Sequence, residues 1–260
     1  MELLMGAAVV GIIGLLIGLL LGVASEKFKV KVDEKEILIR EQLPGNNCGA
    51  CGYPGCDGLA SAIASGKAAV NQCPVGGSKV GNAIATIMGV EAKNSVREVA
   101  YVRCSGTCDK AKTQYYYYGI KDCQSASVVP GQGDKKCFFG CMGYGSCVKA
   151  CEFDAISIID GVAVVDKEKC KACGKCVAVC PNHVIELVPY DNKYHVSCNS
   201  SDKALLTRNN CETGCIGCGL CVRTCEHDAI SVTDNLAHID YDKCTNCGMC
   251  KEKCPRHIIQ

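Results

Sequence analysis

From Leu3 to Ser25 no charged residue interrupts the apolar run LLMGAAVVGIIGLLIGLLLGVAS, and the next eight positions, Glu26 to Asp33, alternate charge with bulk. Twenty-three uncharged residues suffice for one helical crossing of a bilayer core, which takes about 20. The competing reading is a secretory signal, because Val23, Ala24 and Ser25 are small enough for cleavage. Glu2 stands where a signal would be basic, and the run is longer than a usual signal core, so the pattern predicts an uncleaved anchor over 1–25. Lys27, Lys29 and Lys31 follow at once and place the rest of the chain on the cytoplasmic side. Gly14, Gly18 and Gly22 share one helix face, which suits close approach by another membrane helix as well as simple tolerance of glycine there.

Past the anchor the apolar stretches are short. Leu59 to Ala69 is Ala-rich and reads as a helix that ends before Cys73-Pro74. The far half repeats: residues 151–185 and 225–259 match at an offset of 74, with 18 identities in 35 positions. In each copy two short apolar segments (Ala155–Ile159 with Val162–Val165, Ala229–Val232 with Leu236–Ile239) flank Asp-Gly or Asp-Asn, a two-strand hairpin pattern.

Composition explains why so little aliphatic core is visible. Twenty-five of 260 residues are Cys, there is no Trp, and only 14 are Phe or Tyr. A disulfide scaffold would need an oxidising compartment, and it seldom packs Cys as C-x2-C-x2-C. Such runs set several thiolates around one small volume, as a metal cluster requires. Lys plus Arg number 28 against 27 Asp plus Glu, so no global field favours nucleic acid. No G-x-G-x-x-G follows a strand and no Walker loop is present.

The last unit carries two full runs with bacterial ferredoxin spacing, Cys215, Cys218, Cys221, Cys225 and Cys244, Cys247, Cys250, Cys254-Pro255. In that spacing the fourth Cys of each run serves the other cluster, giving the sets Cys215/218/221/254 and Cys244/247/250/225. The earlier unit has one intact run, Cys170, Cys173, Cys176, Cys180-Pro181, so Cys151 completes a cluster with its first three. Its other run has Cys141, Cys147 and Cys151, with Tyr144 where a Cys is expected. Cys141, Cys147 and Cys180 therefore want a fourth ligand, and Cys137 is nearest in sequence. Cys104, Cys108 and Cys123 lie between, and with one of Cys137, Cys198 or Cys211 would supply a sixth cluster; spare thiols are the alternative for Cys198 and Cys211. The similarity of YVRCSGTCDKA to HVSCNSSDKA suggests that the duplication reaches further upstream. His183 and His257, just after each Cys-Pro, read as surface residues, and Tyr115 to Tyr118 as a strand or turn packed on the cluster units.

Near the anchor, Cys48, Cys51, Cys56 and Cys73 are spaced C-x2-C-x4-C-x16-C. Zinc would accept four thiolates too, but usually from two separated C-x2-4-C knuckles. Asn47-Cys48-Gly49, Cys51-Gly52-Tyr53, Gly55-Cys56 and Cys73-Pro74 with Gly76-Gly77 resemble the small four-iron domain in the B components of Rnf-type electron-transport complexes, and the whole layout resembles that family.

The expected fold is α+β: a transmembrane helix (1–25), a linker and four-Cys domain (26–96), a Cys-containing connecting segment (97–136), and two ferredoxin-like βαβ-type modules (137–189 and, with a linker, 190–260). The clusters expected are five [4Fe-4S] groups, with room for a sixth. The resemblance implies an electron-transfer subunit of an ion-translocating complex, in which soluble ferredoxin is the donor and flavin-carrying membrane subunits reduce NAD+. It implies a single-pass place in the cytoplasmic membrane. A membrane-anchored polyferredoxin of a hydrogenase, or a zinc-bound scaffold, are the alternatives. The second runs are locally basic (Lys167, Lys169, Lys171, Lys175; Lys243, Lys251, Lys253, Arg256) and would attract an acidic ferredoxin, if they are more than a solvated face.

Overall fold

The computed structural model describes residues 2–27, 33–92 and 96–260. Lys29 and Lys31, used above for topology, lie outside the described residues. Helix α1 (Glu2–Lys27) covers the apolar run, 26 residues or about 39 Å at the usual helical rise. Its side chains are described over 11–24 and at Lys27, and from 11 to 23 all are exposed: Leu20 is 71% accessible, against almost nothing for the core leucines. Among the described side chains no helix is long and apolar enough to cross a membrane. A β-carbon added at Gly14, Gly18 or Gly22 would meet no atom of this chain within 4 Å.

The next unit is a three-helix cluster. Asp33 caps α2 (Glu34–Gln42) by accepting the Lys35 N–H, α3 spans Gly55–Ala64, and α4 (Gly77–Met88) ends at left-handed Gly89. Ile39, Leu43, Leu59, Ile63 and Ile84 form its core together with Cys56 and Cys73. The expected Ala-rich helix thus starts four residues early and stops at Ala64. There Gly66 turns left-handed and the Ala62 carbonyl accepts from Lys67, closing the end.

The remainder is two modules of one design. The first has β1 (Glu98–Val102), α5 (Cys123–Ser127), α6 (Ser146–Ala150), the hairpin β2 (Ile156–Ile159) and β3 (Val162–Val165), α7 (Lys175–Val179) and β4 (Ile185–Pro189). The second has α8 (Ala204–Asn210), α9 (Leu220–Thr224), the hairpin β5 (Ile230–Thr233) and β6 (Leu236–Ile239), and α10 (Met249–Lys253). Each hairpin turns through two positive-φ residues, Asp160-Gly161 and Asp234-Asn235, as a two-residue turn requires to match strand twist. Every pairing among the described strands is antiparallel. The βαβ label therefore does not fit: each module is a hairpin faced by two five-residue helices. Because β1 pairs with β4, the segment 97–136 is no mere connection but part of the first module.

Candidate metal centres

Four of the short helices are built alike. A left-handed glycine (Gly145, Gly174, Gly219, Gly248) precedes each, one Cys sits on the helix (Cys147, Cys176, Cys221, Cys250), and the last Cys of the run is its C-cap (Cys151, Cys180, Cys225, Cys254). The glycine lets the chain reverse between the second and third thiols with no β-carbon penalty. In the three complete runs the first three sulfurs line one site and the capping Cys lies outside it, which is how one run feeds two sites.

All 25 thiols are free. In the second module Cys215, Cys218, Cys221 and Cys254 line one cavity, with about 350 Å³ free of protein atoms, and Cys225, Cys244, Cys247 and Cys250 line another of about 340 Å³. These are sites D and E. Site B of the first module is Cys151, Cys170, Cys173 and Cys176, which line a cleft with about 320 Å³ free of protein atoms and partly open to solvent. The structure brings together in each case the four Cys that the spacing groups. Backbone N–H groups point at the sulfurs: Ala155 donates to Cys151 at 3.4 Å, and Ala100 to Cys170 at 3.4 Å. Such donors stabilise thiolate charge and tune a cluster. Burial, then the neighbouring thiols, push Cys176 up to about 12 and Cys221 up to about 11.

A single zinc would draw four sulfurs to about 2.3 Å from one point. Among the described residues no three His, Cys, Asp or Glu side chains gather tightly enough to hold one ion.

Site C departs from expectation. Burial first, and then Cys141, Cys123 and Cys180 facing it, push Cys147 up to about 12. Cys123 stands beside Cys147 because Ser146 holds it: the buried Ser146 hydroxyl accepts the Cys123 N–H at 2.8 Å and donates to Asp122 at 2.8 Å. The thiols turned toward Cys147 thus include Cys141, Cys123 and Cys180, and Cys137, the neighbour in sequence, is not among them. Tyr144, in the place of the missing Cys, donates instead to Asp134 Oδ2 at 3.0 Å.

Cys137 belongs to a different group. With Cys104, Cys198 and Cys211 it lines a cavity at the junction of the modules, with about 430 Å³ free of protein atoms. Cys108, expected among these ligands, is exposed, and its sulfur lies against the β2–β3 turn, 2.5 Å from where a Gly161 β-carbon would be.

At site A, Cys51, Cys56 and Cys73 pack on the three-helix core, and the Gly76 N–H donates to Cys73 at 3.4 Å. Asn47 accepts the Cys56 N–H at 2.8 Å, bringing the loop of Cys48 alongside. Burial is the first cause of the raised Cys73 thiol, with Cys51 and Cys56 adding to it. Cys48 faces Cys173 of site B, and Cys73 and Cys170 line one cleft, so sites A and B are neighbours.

Neither His183 nor His257 lines a thiol cavity; both take left-handed backbone after Cys-Pro, as surface turns do. Of Tyr115 to Tyr118, Tyr116 and Tyr118 are exposed, Tyr117 stacks on Tyr144 at 5.6 Å, and Tyr115 lies against Gly131 with its hydroxyl donating to Pro130 O at 2.7 Å. Arg256 turns inward and donates to the carbonyls of Cys211 at 2.8 Å and Gly214 at 3.3 Å, leaving Lys243, Lys251 and Lys253 as the exposed cations of its run.

Sequence comparison bears on what these sites hold. Residues 43–75 match an Fe-S cluster family, 163–186 a 4Fe-4S binding domain and 214–258 a 4Fe-4S dicluster domain. The B component of the Na(+)-translocating ferredoxin:NAD(+) oxidoreductase complex of Acetobacterium woodii is 47% identical, over 99% of this chain and 78% of the relative. The B component of the ion-translocating oxidoreductase complex of Methanosarcina acetivorans is 41% identical over 97% and 96%. That of the proton-translocating ferredoxin:NAD(+) oxidoreductase complex of Clostridium ljungdahlii is 38% identical over 97% and 90%. The chain belongs to the B-component family of ion-translocating oxidoreductase complexes. As a family member it is an iron–sulfur electron-transfer subunit with ferredoxin-type 4Fe-4S domains.

Proposed function

We propose that the chain takes electrons from reduced ferredoxin at its C-terminal module and hands them toward the membrane, where partner subunits carrying flavin reduce NAD+. Sites A to E would each hold one [4Fe-4S] cluster, which when bound carries a single electron at low potential. The observation that carries this reading is the row of neighbours. Cys48 of site A faces Cys173 of site B, and Cys176 of site B faces Cys147 of site C. Sites D and E share one core. Site A is the one nearest the anchor helix along the chain and sites D and E belong to the C-terminal module, so the order of sites has a direction. Cys247 of site E is exposed, near Lys251 and Lys253 in the chain, as a surface meeting a soluble donor should be.

The reading also takes α1 as a membrane anchor with the cluster units in the cytoplasm. An apolar helix whose side chains from 11 to 23 are all exposed supports that. Protease added to intact cells should leave the cluster units whole; cleavage from outside reverses the topology. For the function itself, the anaerobic complex should show broad visible absorption that reduced ferredoxin bleaches as fully as dithionite does. Zinc as the predominant metal, or bleaching by dithionite alone, overturns the proposal.

A further inference from the structure

The junction of the two modules holds four thiols that no matched domain covers. Cys104, Cys137, Cys198 and Cys211 lie outside 43–75, 163–186 and 214–258. They line one cavity, about as large as those of sites B, D and E. Cys198 and Cys211 are 7% and 8% exposed, so these are not surface thiols. The backbone closes on the sulfurs at two glycines. A β-carbon on Gly106 would lie 3.4 Å from the Cys211 sulfur and 3.6 Å from that of Cys104; one on Gly140 would lie 3.5 Å from both Cys104 and Cys137.

The duplication explains the arrangement. The offset of 74 that relates the ferredoxin runs also relates Cys137 to Cys211, each opening a C-x3-C pair with Cys141 or Cys215. Cys104 and Cys198 correspond as well. Arg103 donates its N–H to the Val184 carbonyl and Ser197 donates to that of Ile258, acceptors again 74 apart, and the next residue in each case is the thiol. Each module therefore brings an equivalent pair of Cys to the same cavity. The halves are tied there by main-chain bonds: Ser105 N–H to Ser197 O at 3.0 Å, Lys112 N–H to Asn210 O at 2.9 Å, and Glu212 N–H to Lys110 O at 2.9 Å.

We propose that Cys104, Cys137, Cys198 and Cys211 hold a sixth [4Fe-4S] cluster, two ligands from each module, and that this site joins sites A to C to sites D and E. The position fits a relay. Cys104 is among the charges facing Cys141 of site C, and on the other side the Cys215 N–H of site D donates to the Cys198 sulfur at 3.3 Å. Without this site the row of sites would be broken between the modules. The ligand count also closes, since six sets of four leave one thiol of 25, the exposed Cys108.

This inference rests on the iron–sulfur reading above, and iron stoichiometry separates the two. The intact anaerobic chain should carry about 24 iron atoms with matching sulfide, from six four-iron clusters. The double variant Cys198→Ser/Cys211→Ser should fall to about 20, and Cys108→Ser should remain near 24. A wild-type value near 20, a double variant still near 24, or loss of four irons from Cys108→Ser overturns the sixth site while leaving the electron-transfer reading standing. Should the double variant not fold, the wild-type count and Cys108→Ser decide. A chain with little iron sinks both.

Discussion

The ammonium of Lys135 donates to the carbonyl of Gly161 at 2.7 Å, pinning the turn of the first hairpin to the loop that opens site C. The same Nζ donates to Gly106 O at 2.7 Å and to Cys141 O at 3.0 Å. One cation thus ties the loop after Cys104, the first thiol of site C and the hairpin. Lys135→Met keeps the length of the side chain and leaves three carbonyls without a donor, a cost of about 3 kcal/mol at the usual worth of charged hydrogen bonds and stranded acceptors. The guanidinium midpoint for loss of visible absorbance should fall, with iron released first from the sites around Cys141 and last from the second module. A midpoint equal to that of the wild type would mean that the three contacts are replaced by water.

Site C lends itself to a rescue experiment. Cys123→Ser should lose one cluster, because Cys141, Cys147 and Cys180 then lack a fourth thiol. Tyr144 occupies the position held by Cys218 in the second module, 74 residues on, and the backbone around it has the same glycine-then-helix form. Cys123→Ser/Tyr144→Cys should therefore restore iron to the wild-type level with a plain C-x2-C-x2-C run. Iron analysis of the two variants decides it. If Cys123→Ser retains full iron, Cys123 is not the fourth thiol.

Spacing makes sites B, D and E readable in the sequence, because each ligand set lies within runs whose backbone turn is local. It cannot place Cys123. That thiol reaches site C through the Asp122–Ser146 contact, which joins residues 24 apart along a segment without periodicity. Nearness in sequence favours Cys137, yet only three residues separate it from Cys141, and the chain through Phe138-Phe139-Gly140 brings Cys137 but not Cys141 into the lining of the cavity between the modules. A clue is present: Cys137 matches Cys211 at the repeat offset, and Cys211 stands outside both complete runs of its module. The hairpins are legible to within a residue because Asp-Gly and Asp-Asn dictate the turn. Helices α2 and α4 escape a sequence reading because packing on Ile39 and Ile84, more than any pattern of Ala, stabilises that small domain.

His195 gives the module junction a pH dependence. It is 1% exposed, its Nε2–H donates to Asn192 O at 3.0 Å, and its Nδ1 accepts from the Tyr241 hydroxyl at 3.1 Å. Tyr101 lies against it with ring centroids 4.4 Å apart. Burial first, then the nearby Lys167 charge, push its pKa down from 6.5 to about 4, the Asn192 carbonyl opposing them. The unfolded chain takes up a proton near pH 6.5, while the folded chain stays neutral until about pH 4. The contribution is therefore complete above 6.5 and is lost as the pH falls through that window, by up to about 1.4 kcal/mol per pH unit for one proton. Unfolding midpoints taken between pH 7.5 and 5.5 should fall more steeply for the wild type than for His195→Gln. Parallel slopes would show that His195 is protonated in the fold.

The last prediction concerns how the donor docks, and it rests on the proposed direction of electron flow. Of the cations in the final run, Arg256 is spent inside on Cys211 and Gly214, and Lys243 pairs with Asp240 at 3.4 Å. Lys251 and Lys253 remain exposed on α10, with Glu252 between them, and the Lys251 ammonium lies 5.8 Å from the Tyr194 ring centre. In the first module Lys175 is paired with Glu152, which leaves Lys169 and Lys171 exposed near site B. Site B is already flanked by site A through Cys48 and Cys173, so the free approach is to site E. An acidic donor drawn to Lys251 and Lys253 would meet Cys247, the exposed thiol of that site. Steering of this kind acts on the association rate and fades once salt shortens the Debye length below about 10 Å. Lys251→Glu/Lys253→Glu should slow reduction by ferredoxin at least about tenfold at low salt and remove most of its salt dependence, while reduction by dithionite is unchanged. Lys169→Glu/Lys171→Glu should have a much smaller effect. If the second pair slows turnover as much as the first, the donor docks at the first module and the direction along the row must be redrawn.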